Sequence, residues 1–276
     1  MTETVKHIIS NDGTKIGYRQ IGRGEGLIIA HGTGRISQSY QKLAFALADH
    51  FTVFIYDRRG RGISGPITSD HSIIKEVEDM VALSAATKAR FFFGHSFGGV
   101  ISLQAAAYCE MEKLAVYEPP ISSNNSIPDN WLPAFEEAIA ENKNVKAMMV
   151  FLKALPPPGI SSFPKWALRL LVYAVEFMER NKNESSKMLN LLYTIPPDMK
   201  IVKQLEPITE KYSDMTTPVL LMSGTRSQHF FRQSVKLLEQ ILPTSQTKIF
   251  EGFDHYSPEE KVQEISKALI QFYDDK

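Results

Sequence analysis

Ten consecutive residues, Phe91–Phe92–Phe93–Gly94–His95–Ser96–Phe97–Gly98–Gly99–Val100, constrain this chain more than any other stretch. They read as a buried apolar strand, a very tight turn, and a helix running to about Tyr108. Glycines stand two residues before Ser96 and two and three after it. A serine at the apex of so sharp a strand-to-helix turn is held in a strained backbone conformation, and only small flanking residues fit around it. The turn lifts the hydroxyl clear of the backbone and leaves the Phe97 N–H at a helix start, where negative charge is stabilised.

A G-x-S-x-G motif set between a strand and a helix is the nucleophile elbow, and on these residues the chain resembles the α/β-hydrolase family. The resemblance implies an α/β fold: a mostly parallel eight-stranded sheet flanked by helices, with an all-helical cap inserted after strand six. Residues 1–120 and 214–276 then form the core and 121–213 the cap. With 276 residues the chain can bury a substantial core. Its 31 basic and 31 acidic residues balance, which gives no electrostatic case for nucleic acid or an anionic membrane. No apolar run reaches the ~18 residues expected of a membrane span, and the N-terminus lacks the layout of a signal peptide. Cys109 is the one cysteine, so no internal disulfide forms and a reducing, cytoplasmic setting is expected. Cys109 ends an apolar helix and reads as a packing residue.

In chain order, Val5–Ser10 and Lys15–Ile21 flank Asn11–Asp12–Gly13 as a hairpin at the sheet edge. Leu27–Ala30 is a short, wholly apolar strand running into His31–Gly32–Thr33–Gly34. Ligands in open α/β sheets bind at such carboxyl ends of strands. The loop resembles the family's HG-x loop, which makes Thr33 N–H the second oxyanion donor ahead of Gly34. Helix Tyr40–Ala48 and strand Phe51–Tyr56 follow, then Asp57–Arg58–Arg59–Gly60–Arg61–Gly62–Ile63–Ser64. Three arginines among glycines suggest a phosphate site, but the Lys–Ser/Thr of a P-loop is missing. In the family this loop braces the turn near the active site. His71–Thr87 is an amphipathic helix, and Lys113–Tyr117 a strand that ends abruptly at Glu118–Pro119–Pro120.

From Ile121 the pattern becomes helical: Trp131–Glu141, Val145–Leu155, Phe163–Glu179 and Glu184–Leu192, punctuated at Pro156–Gly159 and Ile195–Pro197. Met148 and Trp166 are candidates for the cap wall of the substrate site, with Gly32 and Gly34 on the core side. Strand Pro218–Met222, helix Phe230–Leu242, strand Thr247–Phe250 and helix Pro258–Tyr273 complete the core.

A serine hydroxyl needs an adjacent base to act as a nucleophile. The family places a histidine after its last strand, and His255 occupies that loop; His31 and His95 read as structural. The third member of a triad fixes the imidazole tautomer. Its usual place follows the seventh strand, where this chain has Gly224–Thr225–Arg226–Ser227 and no carboxylate. Asp254 adjoins the base too closely, and Asp214 lies at the wrong end of its strand. Glu118, at the carboxyl end of the sixth strand, is the favoured acid, and a site with no carboxylate partner is the alternative.

These residues imply a serine hydrolase that cleaves an ester, thioester or related acyl bond of a small apolar substrate through an acyl-enzyme on Ser96. The Phe97 and Thr33 N–H groups would hold the oxyanion, with no metal and no organic cofactor. The alternatives are a small-molecule binding or signalling protein with little turnover, or a C–C hydrolase or acyltransferase using the same site. The partner expected is the small-molecule substrate, not nucleic acid or membrane, for a monomer or homodimer.

Overall fold

A computed structural model of the chain describes residues 2–122, 125–157, 159–160, 163–181, 186–205 and 212–275. One sheet of eight strands organises it: β1 (Thr4–Ile9), β2 (Lys15–Gly22), β3 (Glu25–Ala30), β4 (Phe51–Tyr56), β5 (Phe91–His95), β6 (Lys113–Tyr117), β7 (Val219–Gly224) and β8 (Ser245–Phe250). Their spatial order is β1-β2-β4-β3-β5-β6-β7-β8. β2 runs antiparallel to both β1 and β4. Every later pairing is parallel. The expected hairpin is present, with Ile8 opposite Ile16 and Gly13 at a φ of 84° in its turn.

Helices cover both faces. α1 (Gln41–Leu47) and α10 (Val262–Asp274) lie on one side, with α2 (Ile73–Thr87), α3 (Phe97–Ala105) and α8 (His229–Ile241) on the other. The three phenylalanines of β5 show why this strand is apolar throughout. Phe91 and Phe93 pack with Leu47, Leu269 and Phe272, while Phe92 packs with Met80, Leu83 and Val100. A parallel strand buried on both faces has no polar side to present.

Between β6 and β7 the described residues form α4 (Leu132–Ala140), α5 (Asn144–Ala154), α6 (Lys165–Glu179), a 3-10 segment (Met188–Thr194) and α7 (Ile195–Gln204). They share a small core of Trp131, Phe135, Met148, Val172 and Leu192. Two expectations are corrected here. Ile195–Pro197 starts a helix instead of breaking one, because a proline in the first turn lacks only an N–H that has no intrahelical acceptor. The helix expected over Glu184–Leu192 falls partly outside the described residues, and the 3-10 segment takes up the rest. The closing helix is also interrupted, as α9 (Ser257–Glu260) followed by α10. No helix among the described residues is long and apolar enough to cross a membrane.

Candidate active site

β5 ends where Ser96 turns the chain, with φ 53° and ψ −127°. Side-chain-bearing residues avoid that region, so the surroundings must hold it. Ser96 N–H donates to the Tyr117 carbonyl at 2.9 Å, and Gly99 N–H donates to the Ser96 carbonyl at 2.8 Å. The glycines are close approaches. A Cβ on Gly98 would stand 2.1 Å from the Ala30 oxygen, and one on Gly94 would stand 2.5 Å from Gly99 Cα. Gly32 meets the serine itself, since a Cβ there would lie 2.9 Å from Ser96 Cβ. The glycine-rich loop after β3 therefore rests directly on the elbow. Phe97, the first residue of α3, carries an N–H with no acceptor inside its helix.

Glu118 answers the question left by Ser227. It continues β6 beside β7, with its N–H donating to the Met222 carbonyl at 3.0 Å, and takes a φ of 48°. That turn aims a fully buried carboxylate across the end of β7. Oε2 accepts from His255 Nδ1 at 2.8 Å, and Oε1 accepts from Ser223 Oγ and the Gly224 amide, each at 2.8 Å. Burial opposes ionisation of Glu118, but the hydrogen bond and charge of His255, with the hydroxyl and amide donors, outweigh it. Its carboxyl is held below the ordinary value. A carboxylate only accepts, so His255 carries its proton on Nδ1 and leaves Nε2 as an acceptor.

Asp254 is consumed locally, taking the Tyr256 N–H at 2.9 Å. Asp214 is exposed. Phe231, from α8, stacks on His255 with ring centroids 3.7 Å apart and planes 9° apart. The ring of His95 lies 4.7 Å from that of His255.

His31 and His95 are both held by hydrogen bonds inside the protein. His31 is buried, its Nδ1–H donating to the Gly32 carbonyl and its Nε2 accepting from the Arg58 amide, each at 3.0 Å. Burial first, then the nearby Arg58 and Arg61, keep it neutral. His95 pairs with the Tyr40 hydroxyl, which also accepts from Gly32 N–H at 3.4 Å. Cys109 is half-buried, and burial pushes its thiol up to about 11, which removes it as a nucleophile.

Ser96, His255, Phe97, Gly32, Thr33 and Gly34 border one cavity of about 730 Å³ between the carboxyl end of the sheet and the helices that follow β6. Met148 lies in its wall with Phe151, Leu155, Val172 and Leu192. Trp166 does not: it is 68 % exposed, on the face of α6 turned away from Val172 and Val175. That corrects the expectation for Trp166. An apolar residue at helical spacing can lie on either face, and here the inner face is taken by the valines. Four acids border the cavity (Asp198, Asp254, Glu259, Glu260) against two arginines (Arg35, Arg226). Arg35 is already paired with Glu259 at 2.8 Å.

The three arginines after β4 bind no ligand because each is spent inside the protein. Arg59 pairs with Asp79 and Asp12. Arg58 pairs with Glu76 and Asp198, and Arg61 with Asp198. Burial opposes the charge on Asp198, yet Arg58 and Arg61 hold its carboxyl down to about 2. His71, Glu76 and Asp198 form the grouping among the described residues with metal-ligand spacing. Both its carboxylates are bound to guanidinium groups, and this leaves no negative field for a cation. Ser223, Phe231, Tyr40 and Asp198 are site neighbours that the sequence did not reveal. Only Asp198 had a signal: three arginines in one buried loop require acids from elsewhere.

A sequence profile described as alpha/beta hydrolase fold matches residues 26–262. A 2-(acetamidomethylene)succinate hydrolase from Mesorhizobium japonicum is 24 % identical over 267 residues, covering 93 % of this chain and 90 % of that protein. An alpha/beta hydrolase from Sphaerobacter thermophilus superposes with a TM-score of 0.78 at 26 % identity, over 97 % of this chain and all of the other. An esterase from a Rhodococcus species superposes with a TM-score of 0.73 at 20 % identity, over 98 % of each chain. With the profile spanning most of its length and the sheet order to match, the chain belongs to the alpha/beta hydrolase fold family.

Proposed function

We propose that the protein is a serine hydrolase acting on an ester, thioester or related acyl bond of a small, apolar, uncharged substrate. One observation carries the reading: Glu118 holds His255 by its Nδ1 proton, with His255 and Ser96 facing a single apolar-walled cavity. Nε2 of His255 takes the Ser96 proton as the hydroxyl attacks the substrate carbonyl, and Glu118 stabilises the imidazolium that forms. The Phe97 and Thr33 N–H groups receive the oxyanion, each contributing about 3–4 kcal/mol to the barrier reduction. The imidazolium then protonates the leaving group. Water activated by the same Nε2 releases the acid and restores Ser96.

Two observations favour this over its rivals. A binding protein without turnover was an alternative because Ser227 replaces the usual acid, and a carboxylate on His255 removes that ground. The Mesorhizobium relative is named for a succinate, which carries negative charge. With Asp198 and Glu259 already paired to arginines, Asp254 and Glu260 stand against Arg226 around the cavity, so an anionic substrate would meet more acid than base.

The test needs no knowledge of the substrate. Purified protein at neutral pH is exposed to a fluorophosphonate probe, and adduct mass is followed for wild type, Ser96→Ala and Glu118→Gln. Single labelling of wild type, lost in Ser96→Ala and slowed about 10²–10⁴-fold in Glu118→Gln, is expected. Wild type that fails to label sinks the proposal.

A further inference from the structure

One buried carboxylate near the cavity has no part in the mechanism above. Asp198 belongs to α7, in the helical segment after β6, and is fully buried. It reaches into the core loop after β4. Arg58 grips it twice, Nη2 to Oδ1 at 2.7 Å and Nη1 to Oδ2 at 3.1 Å, and Arg61 Nη2 donates to Oδ2 at 2.9 Å. The opposite edge of the Arg58 guanidinium is gripped by Glu76, at 2.7 and 3.0 Å. Arg58 is thus fixed between one acid of the core and one of the helical segment.

Arg58 in turn contacts Phe97 and, through His31, the loop that carries Thr33. Its guanidinium carbon lies 4.4 Å from the centroid of the Phe97 ring, the residue whose amide would be one donor. Its own amide holds His31 Nε2 at 3.0 Å, and the His31 ring holds the Gly32 carbonyl at 3.0 Å, next to Thr33. Further ties fasten the same edge: Arg61 to the Thr194 carbonyl at 3.3 Å, and the Tyr193 hydroxyl to the Gly60 carbonyl at 2.5 Å.

We propose that Asp198 is a positioning residue for the oxyanion hole: by seating on Arg58 and Arg61 it fixes the Phe97 and Thr33 amides, so the hole is complete only when the helical segment is docked. This rests on the serine hydrolase reading for its consequence in catalysis, and on packing alone for the positioning. Removing Asp198 leaves two guanidinium groups with one carboxylate between them. The loop then relaxes toward water or toward the cavity.

The test compares Asp198→Asn, Asp198→Glu and Arg61→Lys with wild type by two measurements on the same samples. The first is amide hydrogen exchange at residues 32–34 and 97. The second is fluorophosphonate labelling, resolved into a rate constant and an amplitude. Asp198→Asn is expected to speed exchange at these amides while β5 stays protected, and to lower the labelling rate constant about tenfold or more, with Arg61→Lys acting in the same direction. Asp198→Glu should recover part of both. A merely structural role would lower the amplitude and leave the rate constant of the folded fraction unchanged, which overturns the proposal. If Asp198→Asn does not fold, Arg61→Lys decides, because it weakens the hold on Asp198 and leaves the pair with Arg58 intact. Unchanged exchange in the folded variants overturns the positioning whatever the labelling does. Wild type that never labels overturns the hydrolase reading alone, since the exchange result stands without it.

Discussion

Glu118 was legible only in part. Its position after the sixth strand and its reach are in the sequence, but its partners lie 105 to 137 residues away. No local pattern marks them, so a carboxylate partner for His255 could be favoured from the sequence but not fixed. Ser96 and His255 are different: each sits in a loop whose neighbours dictate its place, and both border the cavity. The hydrogen bonds that fix Glu118 have a further consequence for stability. Its carboxyl is held below the ordinary 4.5, so its charged form stabilises the fold fully above that value. The contribution is lost as pH falls through the lower folded value, where the native state finally takes up the proton. Urea midpoints measured from neutral down to about pH 3 should therefore fall more steeply for wild type than for Glu118→Gln, which has no proton to gain there. Parallel curves would mean that Glu118 does not ionise differently on folding.

At the scale of elements, β3, β5, β6 and β7 were readable because a buried parallel strand is a short apolar run with glycine or proline at its end. The helices between β6 and β7 were readable as helices but not as faces. α6 offers Trp166, Leu170, Tyr173 and Phe177 to solvent, and turns Val172 and Val175 inward. α6 is amphipathic, but its apolar side is broad, and the pattern does not say which of those residues meet the cavity and which meet solvent. α8 shows what such a choice does for a site. Its Phe231 is buried and stacks on His255, holding the imidazole plane while Glu118 holds its edge. Leucine at 231 keeps an apolar side chain but is smaller and loses the flat contact. Phe231→Leu should lower kcat about tenfold with KM little changed, since a loosened base misplaces the transition state more than the bound substrate. A fall in kcat/KM carried entirely by KM would assign Phe231 to substrate binding instead.

For the whole molecule, the cavity is a property of neither the sheet nor the helical segment by itself. The sheet edge supplies the polar atoms of the reaction, and Met148, Phe151, Leu155, Val172 and Leu192 supply the opposite, apolar wall. Sequence could anticipate an apolar roof but not its depth, because depth depends on how far α5 and α6 stand from the elbow. At about 730 Å³ the space exceeds what a short acyl group fills. Each methylene added to the acyl chain should then find apolar contact that persists into the transition state, worth about 0.8 kcal/mol, or roughly fourfold in kcat/KM. Across straight-chain p-nitrophenyl esters, kcat/KM should climb stepwise from acetate until the chain fills the cavity, then level or fall. A terminal carboxylate on an ester of matched length should cancel the gain, because beyond the paired Asp198 and Glu259 the space is bordered by Asp254 and Glu260 against Arg226. A flat series would show that the apolar wall does not hold the acyl chain. A preference for the carboxylate-ended ester would show that Arg226, not the apolar wall, selects the substrate.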